Sequence, residues 1–142
     1  MKRNASAVWE GGSQDGKGQI STESGALSAV GYGFATRFDS EAGTNPEELI
    51  AAAHASCFAM ALSGRLGEAG VTPASIAVTA TVSLDKVDAL WTVTAVHLDV
   101  TVKAPGADAA AFTKAAEAAK AGCPISRLLG AAAKITMDAA LA

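Results

Sequence analysis

The chain has 142 residues, 50% of them hydrophobic, and a formal net charge of −3 at pH 7. This length predicts a single domain, residues 1–142, with one hydrophobic core. The eleven Lys and Arg residues are scattered along the sequence, so we expect no basic surface that neutralises phosphates and no nucleic-acid partner.

The N-terminal part of the sequence predicts a β-hairpin followed by a third strand. Residues 6–10 and 18–22 alternate apolar and polar side chains on either side of a glycine-rich turn. The third strand is expected from Tyr32 to Phe38. No apolar stretch of signal-peptide length follows the first four residues, which indicates a cytoplasmic protein.

A long helix is predicted from Pro46 to about Ala69. It begins with a capping-type polar residue, a proline at the first helical position and two acidic residues in the first turn, and it ends before Gly70. Apolar residues lie almost all round it, so we expect burial on most sides, in a core or across a subunit interface. Its longest uncharged run, residues 49–64, is too short to span a bilayer, and we expect no membrane partner.

The C-terminal part predicts strands and short helices. Residues 76–84 and 90–102 are rich in Val and Thr with alternating character, and residues 85–88 are the expected hairpin loop. Two helices and a last strand are expected over residues 108–121, 125–130 and 133–141. Since hairpin-length connections imply antiparallel neighbours, this order predicts an α+β fold with antiparallel sheets.

The only cysteines are Cys57 and Cys123, and neither belongs to a C-x-x-C pair or to a Cys/His metal spacing. In a reducing compartment they are either two buried spectators or a redox-active pair. His97 has no acidic or cysteine partner in metal-ligand spacing, so we expect no metal site.

The two thiols differ in their predicted surroundings. Cys57 falls near the middle of the long helix, where the helix dipole has little effect, so a reactive Cys57 requires a neighbouring cation. Otherwise Cys57 simply packs beside its apolar neighbours. Cys123 precedes Pro124 at the start of a short helix, where backbone N–H groups favour a thiolate. The local surroundings therefore favour Cys123 as the more acidic thiol. A buried arginine placed near Cys57 would lower the pKa of Cys57 by more than so short a helix lowers that of Cys123.

Five stretches of the sequence form motifs: GKG at residues 16–18, STESG at 21–25, YGFATRF at 32–38, TNPEELIAAAHASCFAMAL at 44–62 and AGCPIS at 121–126. Together they closely resemble the osmotically inducible protein C (OsmC) and organic-hydroperoxide-resistance family, over essentially the whole chain. The resemblance implies an OsmC-like α+β fold, with antiparallel sheets packed on a long central helix in an intertwined homodimer.

The resemblance also implies a thiol-dependent peroxidase with four site residues. Cys57 matches the peroxidatic cysteine and Cys123 the cysteine that resolves its sulfenic acid to a disulfide. Arg37 matches the arginine that would favour the thiolate, and Glu47 the glutamate that would hold this arginine by a fork of hydrogen bonds. Organic hydroperoxides, preferred over hydrogen peroxide, are the implied substrates and lipoyl-type dithiols the implied reductants. No bound cofactor is expected.

The helix geometry adds a constraint on these four residues. Glu47 and Cys57 are ten positions apart, which on a straight helix means roughly 15 Å in height and about 80° in direction. They do not readily meet within one chain. We therefore expect two long helices to cross in a symmetric dimer, with Arg37 and Glu47 reaching Cys57 of the partner subunit.

Weaker candidates and other functions stay open. Glu48 is expected to be a surface acid that opposes the helix dipole, and His54, three residues before Cys57, is a possible base. The main alternative function is a redox sensor or non-catalytic binding dimer that oxidises once without turning over. A general thiol–disulfide oxidoreductase is less favoured, because no C-x-x-C motif is present.

Overall fold

Six strands and four helices make up the fold in the computed structural model, which describes residues 1–142. The chain falls into two units, residues 1–49 and 50–142, and each is described by itself. The predicted α+β class is confirmed, because the structure contains two separate sheets together with four helices. The assignment of residues 1–142 to a single domain stays a prediction.

The first unit contains a three-stranded antiparallel sheet. Its strands are β1 (Ala5–Glu10), β2 (Lys17–Thr22) and β3 (Val30–Gly33), in the order β1-β2-β3. The predicted hairpin is confirmed, with Glu10 opposite Lys17 at the turn. The sheet leads directly into the first helix.

The predicted strand from Tyr32 to Phe38 is wrong in its second half. β3 ends at Gly33, and residues Phe34–Phe38 form a short helix, α1. The Thr36 hydroxyl accepts from the Gly33 N–H at 3.0 Å and donates to the Gly33 carbonyl at 3.1 Å, which closes the first turn. Phe34 and Phe38 pack against each other in a tilted arrangement, with ring centroids 4.8 Å apart. Their four-residue spacing suits a helix as well as the alternation that favoured a strand.

The predicted long helix is confirmed as α2, Pro46–Glu68. At its start the Asn45 side-chain oxygen accepts from the Glu48 N–H at 2.8 Å. At its end Gly70 has a positive φ of 75°, and the Val71 N–H donates to the Leu66 carbonyl at 2.9 Å. This left-handed C-terminus explains why a glycine stands there.

Burial of α2 within one chain is narrower than expected. Its buried residues are His54, Phe58, Leu62 and Leu66, spaced four apart along one face. Met60, on another face, is 78% exposed. The core of the second unit accounts for one buried face of the helix, and the expectation that its other sides are buried across a subunit interface stays a prediction.

By length and composition α2 is also able to cross a membrane. It has 23 residues and a mean hydropathy of 1.3 in its most apolar window. The sequence analysis judged only the uncharged run of residues 49–64 too short to span a bilayer, and the complete helix is longer than this run. The core helix of a water-soluble protein meets the same criteria, so this finding is weak evidence for a membrane span.

The second unit contains another three-stranded sheet, with β4 (Ser75–Val87), β5 (Leu90–Lys103) and β6 (Lys134–Leu141) in the order β4-β5-β6. The predicted loop at residues 85–88 is wrong, since residues 85–87 pair with residues 90–92. Asp88 and Ala89, with φ of 48° and 67°, form a two-residue turn instead. Two successive positive φ values are typical of the tight turn that matches strand twist.

The last strand departs from the expected antiparallel arrangement. β6 runs parallel to β5, whereas β4 and β5 are antiparallel. The connection between β5 and β6 contains two helices, α3 (Ala109–Gly122) and α4 (Pro124–Leu129). A crossover of this length allows a parallel pair, which a hairpin does not.

The core of the second unit lies between α2, α3 and the inner face of β5. The fully or almost fully buried side chains that form one cluster include Phe58, Leu62 and Leu66 on α2, Leu98, Val100 and Val102 on β5, and Phe112, Ala116 and Ala119 on α3. Cys123 belongs to this cluster and Cys57 packs against it. The hydrophobic core therefore brings together two thiols that are far apart in sequence.

Candidate active site

The two cysteines are in direct contact. Cys57 Sγ, half-buried in the middle of α2, lies 3.0 Å from Cys123 Sγ, which is fully buried between α3 and α4. Both are free thiols, since a disulfide bond requires a separation of about 2.05 Å. Only a small movement separates this contact from a covalent bond, so the pair is positioned for reversible disulfide formation.

The environment of Cys123 favours its thiolate. Burial alone raises the pKa of Cys123, but hydrogen bonds from the Cys57 thiol and from the backbone and hydroxyl of Ser126 outweigh it and lower the pKa below the ordinary value. Cys123 is the N-cap residue of α4 and precedes Pro124, so the Ser126 groups belong to the first turn of that helix. The structure thus agrees with the local argument that Cys123 is the more acidic thiol.

The environment of Cys57 has the opposite effect. Burial and the hydrogen bond with Cys123 raise the pKa of Cys57, and the backbone of Ile125 offsets this only in part. The proton shared by the two sulfur atoms is therefore better placed on Cys57, because Cys123 has the additional donors from α4. No cation is among the groups that shift the pKa of Cys57. A nucleophilic Cys57 therefore requires a positive charge from another part of the protein.

Arg37 and Glu47 form the expected fork in the first unit. Arg37 Nε lies 3.0 Å from Glu47 Oε2, and Arg37 Nη2 lies 2.6 Å from Glu47 Oε1. The hydrogen bond with Glu47 raises the pKa of Arg37, which stays charged. The Arg37 guanidinium also lies 5.1 Å from the centre of the Phe38 ring. This cation is held in a fixed orientation, since its Nε and Nη2 donate side by side to the two carboxylate oxygens of Glu47.

The structure brings the four predicted site residues together as two pairs. Arg37 and Glu47 belong to the first unit, and Cys57 and Cys123 to the second. Glu48 is exposed in the first turn of α2, in agreement with the expected surface acid. The roles assigned to the two pairs stay predictions.

His54 faces α4 through a hydrogen bond to Ser126. It is fully buried, and its Nε2 lies 2.7 Å from the Ser126 hydroxyl. Its Nδ1 is buried without a hydrogen-bond partner. Burial lowers the pKa of His54, so the imidazole is neutral at pH 7. His54 was considered as a base for the Cys57 thiol, but its hydrogen bond is to Ser126 instead.

Ser126 is the site residue that the sequence analysis missed. It is 4% exposed, its hydroxyl lies 2.7 Å from His54 Nε2, and it lowers the pKa of Cys123. It lies three positions after the N-cap Cys123, a spacing at which the two side chains of a capping motif face each other. That spacing is the signal that identifies it, although cysteine is not a usual capping residue.

His97 has two acidic neighbours on the sheet of the second unit, so the expectation that it has none is wrong. His97 Nε2 lies 3.3 Å from Asp99 Oδ1 and 3.6 Å from Asp138 Oδ2, and its Nδ1 lies 2.6 Å from Thr136 Oγ1. Asp138 arrives through the parallel pairing of β5 with β6, in which it stands opposite Asp99.

The His97 cluster has donors that suit a divalent cation. The three potential ligand atoms of His97, Asp99 and Asp138 all lie within 4.8 Å of one another. The side chains of the two aspartates are 60% and 86% exposed, and direct contacts with His97 account for the positions of both carboxylates. The expected absence of a metal site stays a prediction.

Comparisons with known proteins agree on one family. The family of OsmC-like proteins matches residues 38–138. Peroxiredoxin OsmC of Escherichia coli (strain K12) is 56% identical over 138 residues, which covers 97% of this chain and 95% of that protein. Peroxiredoxin OsmC of Shigella flexneri has the same identity and coverage.

Solved structures show the same fold at lower identity. The organic hydroperoxide resistance protein OhrB of Bacillus subtilis has a TM-score of 0.72 and 24% identity, covering 96% of this chain and 98% of that chain. An OsmC-like protein of Mycoplasma pneumoniae has a TM-score of 0.78 and 14% identity, covering 99% and 97%.

Proposed function

The chain belongs to the OsmC-like protein family, and we propose that it is a thiol-dependent peroxidase that reduces organic hydroperoxides, and hydrogen peroxide less well. The contact of 3.0 Å between the Cys57 and Cys123 sulfur atoms carries this proposal. A two-cysteine peroxidase requires such a contact, because the thiol that resolves the oxidised intermediate must reach it within the same protein.

The proposed cycle has three steps. The Cys57 thiolate attacks one peroxide oxygen, the O–O bond breaks, and an alcohol leaves after taking up a proton, so that Cys57 becomes a sulfenic acid. Cys123 then attacks the oxidised sulfur, which forms a disulfide and releases water. An external dithiol reduces this disulfide by exchange and restores both thiols. We infer a lipoyl-type dithiol as the reductant and no bound cofactor.

The proposed role of Arg37 answers the electrostatic problem of Cys57. Burial and Cys123 raise the pKa of Cys57, so a fixed positive charge is needed to keep it anionic. Arg37, oriented by its fork with Glu47, is the cation that we assign to this role. It acts on Cys57 of its own chain or of the partner subunit.

We further propose that the working protein is a homodimer in the cytoplasm. The exposed apolar face of α2, with Met60 78% exposed, supports an interface with a second copy. In a symmetric dimer this face meets its own equivalent, which covers both at once.

Turnover measurements test the function. The protein is mixed with cumene hydroperoxide and dihydrolipoamide, and peroxide consumption is followed over many equivalents. The wild type is expected to turn over repeatedly, Cys57→Ser to be inactive, and Cys123→Ser to consume one equivalent and stop. Wild-type consumption that ends after one equivalent would instead indicate a redox sensor. Reduction of insulin disulfides without peroxide would indicate a general thiol–disulfide oxidoreductase.

A further inference from the structure

A buried polar pair, His54 and Ser126, connects α2 with the first turn of α4, which begins directly after Cys123. His54 and Cys123 are fully buried, and Ser126 between them is 4% exposed. His54 Nε2 lies 2.7 Å from the Ser126 hydroxyl oxygen. Ser126 follows Cys123 by three residues in the first turn of α4, where its backbone and hydroxyl lower the pKa of Cys123. His54 and Ser126 thus form a buried polar contact at the start of the helix that Cys123 caps.

The direction of the hydrogen bond between His54 and Ser126 follows from Nδ1, the other ring nitrogen of His54. Nδ1 is buried and has no partner. A buried acceptor without a partner is better tolerated than a buried donor without one, so Nδ1 carries the lone pair and Nε2 the hydrogen. The Nε2–H then donates to the Ser126 oxygen. The hydroxyl hydrogen of Ser126 is left to point at the Cys123 sulfur.

We propose that His54 and Ser126 are positioning residues for the resolving cysteine, donating in series toward the Cys123 sulfur so that it attacks as a thiolate. This inference rests on the proposed peroxidase function. In the resolving step the Cys123 thiolate forms the S–S bond with Cys57 while the S–O bond of the Cys57 sulfenic acid breaks. The hydroxide that leaves takes up the proton released by Cys123, so the net product is water.

Other charged groups lie on the elements that pack around Cys123. The Arg65 guanidinium of α2 approaches Gly122, next to Cys123, and pairs with Glu68. The last turns of α3 and α4 carry Lys120 and Arg127. The variants proposed below leave all of these groups in place, so an altered Cys123 titration is attributable to the His54–Ser126 chain.

Single-turnover kinetics separate the resolving step from the peroxide step. The wild type, Ser126→Ala and His54→Leu are mixed with one equivalent of cumene hydroperoxide, and sulfenic acid formation and decay are followed against pH. Removing a donor to a charged sulfur is expected to slow the decay roughly tenfold and to move its pH midpoint up by about one unit, with little change in formation. His54→Gln, whose amide N–H replaces Nε2–H, is expected to recover most of the rate.

Controls keep the inference falsifiable. Thr113→Ala deletes a hydroxyl that donates within α3, and it is expected to change neither step. Equal slowing of both steps in Ser126→Ala and His54→Leu, together with a lower Tm, would indicate a structural role and overturn the inference. An unchanged decay rate and pH midpoint in these variants would overturn it as well.

A titration without peroxide distinguishes failure of the inference from failure of the proposed function. In Cys57→Ser the only thiol is Cys123, whose ionisation is followed by the ultraviolet absorbance of the thiolate. Adding Ser126→Ala is expected to raise the midpoint by about one pH unit. An unchanged midpoint overturns the proposed role of Ser126 whether or not the wild type reduces peroxides. A wild type that is not oxidised by peroxide overturns the proposed function alone.

Discussion

Arg37 and Glu47 form the charge pair on which the proposed activation of Cys57 depends. Two hydrogen bonds, of 3.0 and 2.6 Å, fix the guanidinium plane against the carboxylate. The side chains are 34% and 13% exposed, so solvent screens this pair less than a fully exposed one. The orientation of the cation, and not only its charge, is therefore expected to matter.

Replacing Arg37 by Lys tests that orientation. Arg37→Lys keeps the positive charge but cannot form the fork, so we expect the rate of Cys57 oxidation by cumene hydroperoxide to fall roughly tenfold to a hundredfold. Arg3→Lys is the matched control, since Arg3 pairs with Glu23 at 3.8 Å on an exposed surface. Equal rates for Arg37→Lys and the wild type would show that charge alone suffices.

His54 gives the stability a predicted dependence on pH. Burial lowers the pKa of folded His54 below the ordinary 6.5, whereas the unfolded chain protonates at the ordinary value. Between these two values the unfolded state binds more protons, so the free energy of unfolding falls as the pH falls. The effect begins near pH 6.5 and ends below the folded-state pKa.

Urea denaturation of the wild type and of His54→Gln between about pH 7 and pH 5 measures this contribution. The wild type is expected to lose stability more steeply, by at most about 1.4 kcal/mol per pH unit for one proton. His54→Gln lacks the titrating group and is expected to have the shallower profile. Parallel profiles would contradict the assignment of a buried neutral His54.

The sequence predicts the candidate site only in part. Four site residues could be selected because their motifs resemble a known family: Cys57, Cys123, Arg37 and Glu47. The structure shows two contacts within this set, between Arg37 and Glu47 and between Cys57 and Cys123. Ser126 was missed: its position three residues after Cys123 marks it, but its contact with His54 depends on the packing of α4 against α2. Asp138 was missed as a partner of His97 because a parallel strand pair brings it there, whereas Asp99 stands two positions after His97 on the same strand.

The helix α2 depends on one buried face for its stability within the chain. Leu62 is fully buried in that face, in the same core cluster as Phe58 and Leu66. Each such side chain contributes about 1.5–3 kcal/mol through burial. Because Cys57 lies on this helix, the packing of the face also sets the position of its thiol.

Truncation of Leu62 is expected to be costly. Leu62→Ala leaves a cavity in the core and should lower the free energy of unfolding by about 2–5 kcal/mol. Leu128→Ala makes the same chemical change at a leucine that is 68% exposed, and it should stay within about 0.5 kcal/mol of the wild type. Urea denaturation measures both, and similar losses would contradict the described core.

At the level of elements, the sequence identifies most strands and helices but not every boundary. The start of α2 was predictable because Asn45, Pro46 and the following acids combine local signals. The helix α1 was not, because the spacing of Phe34 and Phe38 fits both periods. The direction of β6 was not predictable either, since it depends on how α3 and α4 pack and not on the residues of the strand.

The whole molecule presents an uncovered apolar face on α2. Ala53, Ser56, Met60 and Gly64 are exposed and recur at three- to four-residue spacing. Small residues along such a face let two helices approach closely, and a second copy of the chain would cover Met60. The proposed homodimer therefore depends on this face.

A charge on that face is expected to dissociate the dimer. Met60→Glu places a carboxylate where two copies of α2 would meet, and analytical ultracentrifugation should shift from dimer toward monomer. Leu90→Glu changes another leucine-sized exposed residue, 70% exposed at the β4–β5 turn, and should leave the mass unchanged. A monomeric wild type, or a dimeric Met60→Glu, would contradict the proposed interface.

The central claim is that Cys57, and not the locally more acidic Cys123, attacks the peroxide. Trapping with dimedone tests it directly, because dimedone labels sulfenic acids and mass spectrometry of peptides locates the label. After one equivalent of cumene hydroperoxide, Cys123→Ser is expected to carry the label on Cys57, whereas Cys57→Ser stays unlabelled. Labelling of Cys123 in Cys57→Ser, with none on Cys57 in Cys123→Ser, would contradict the account.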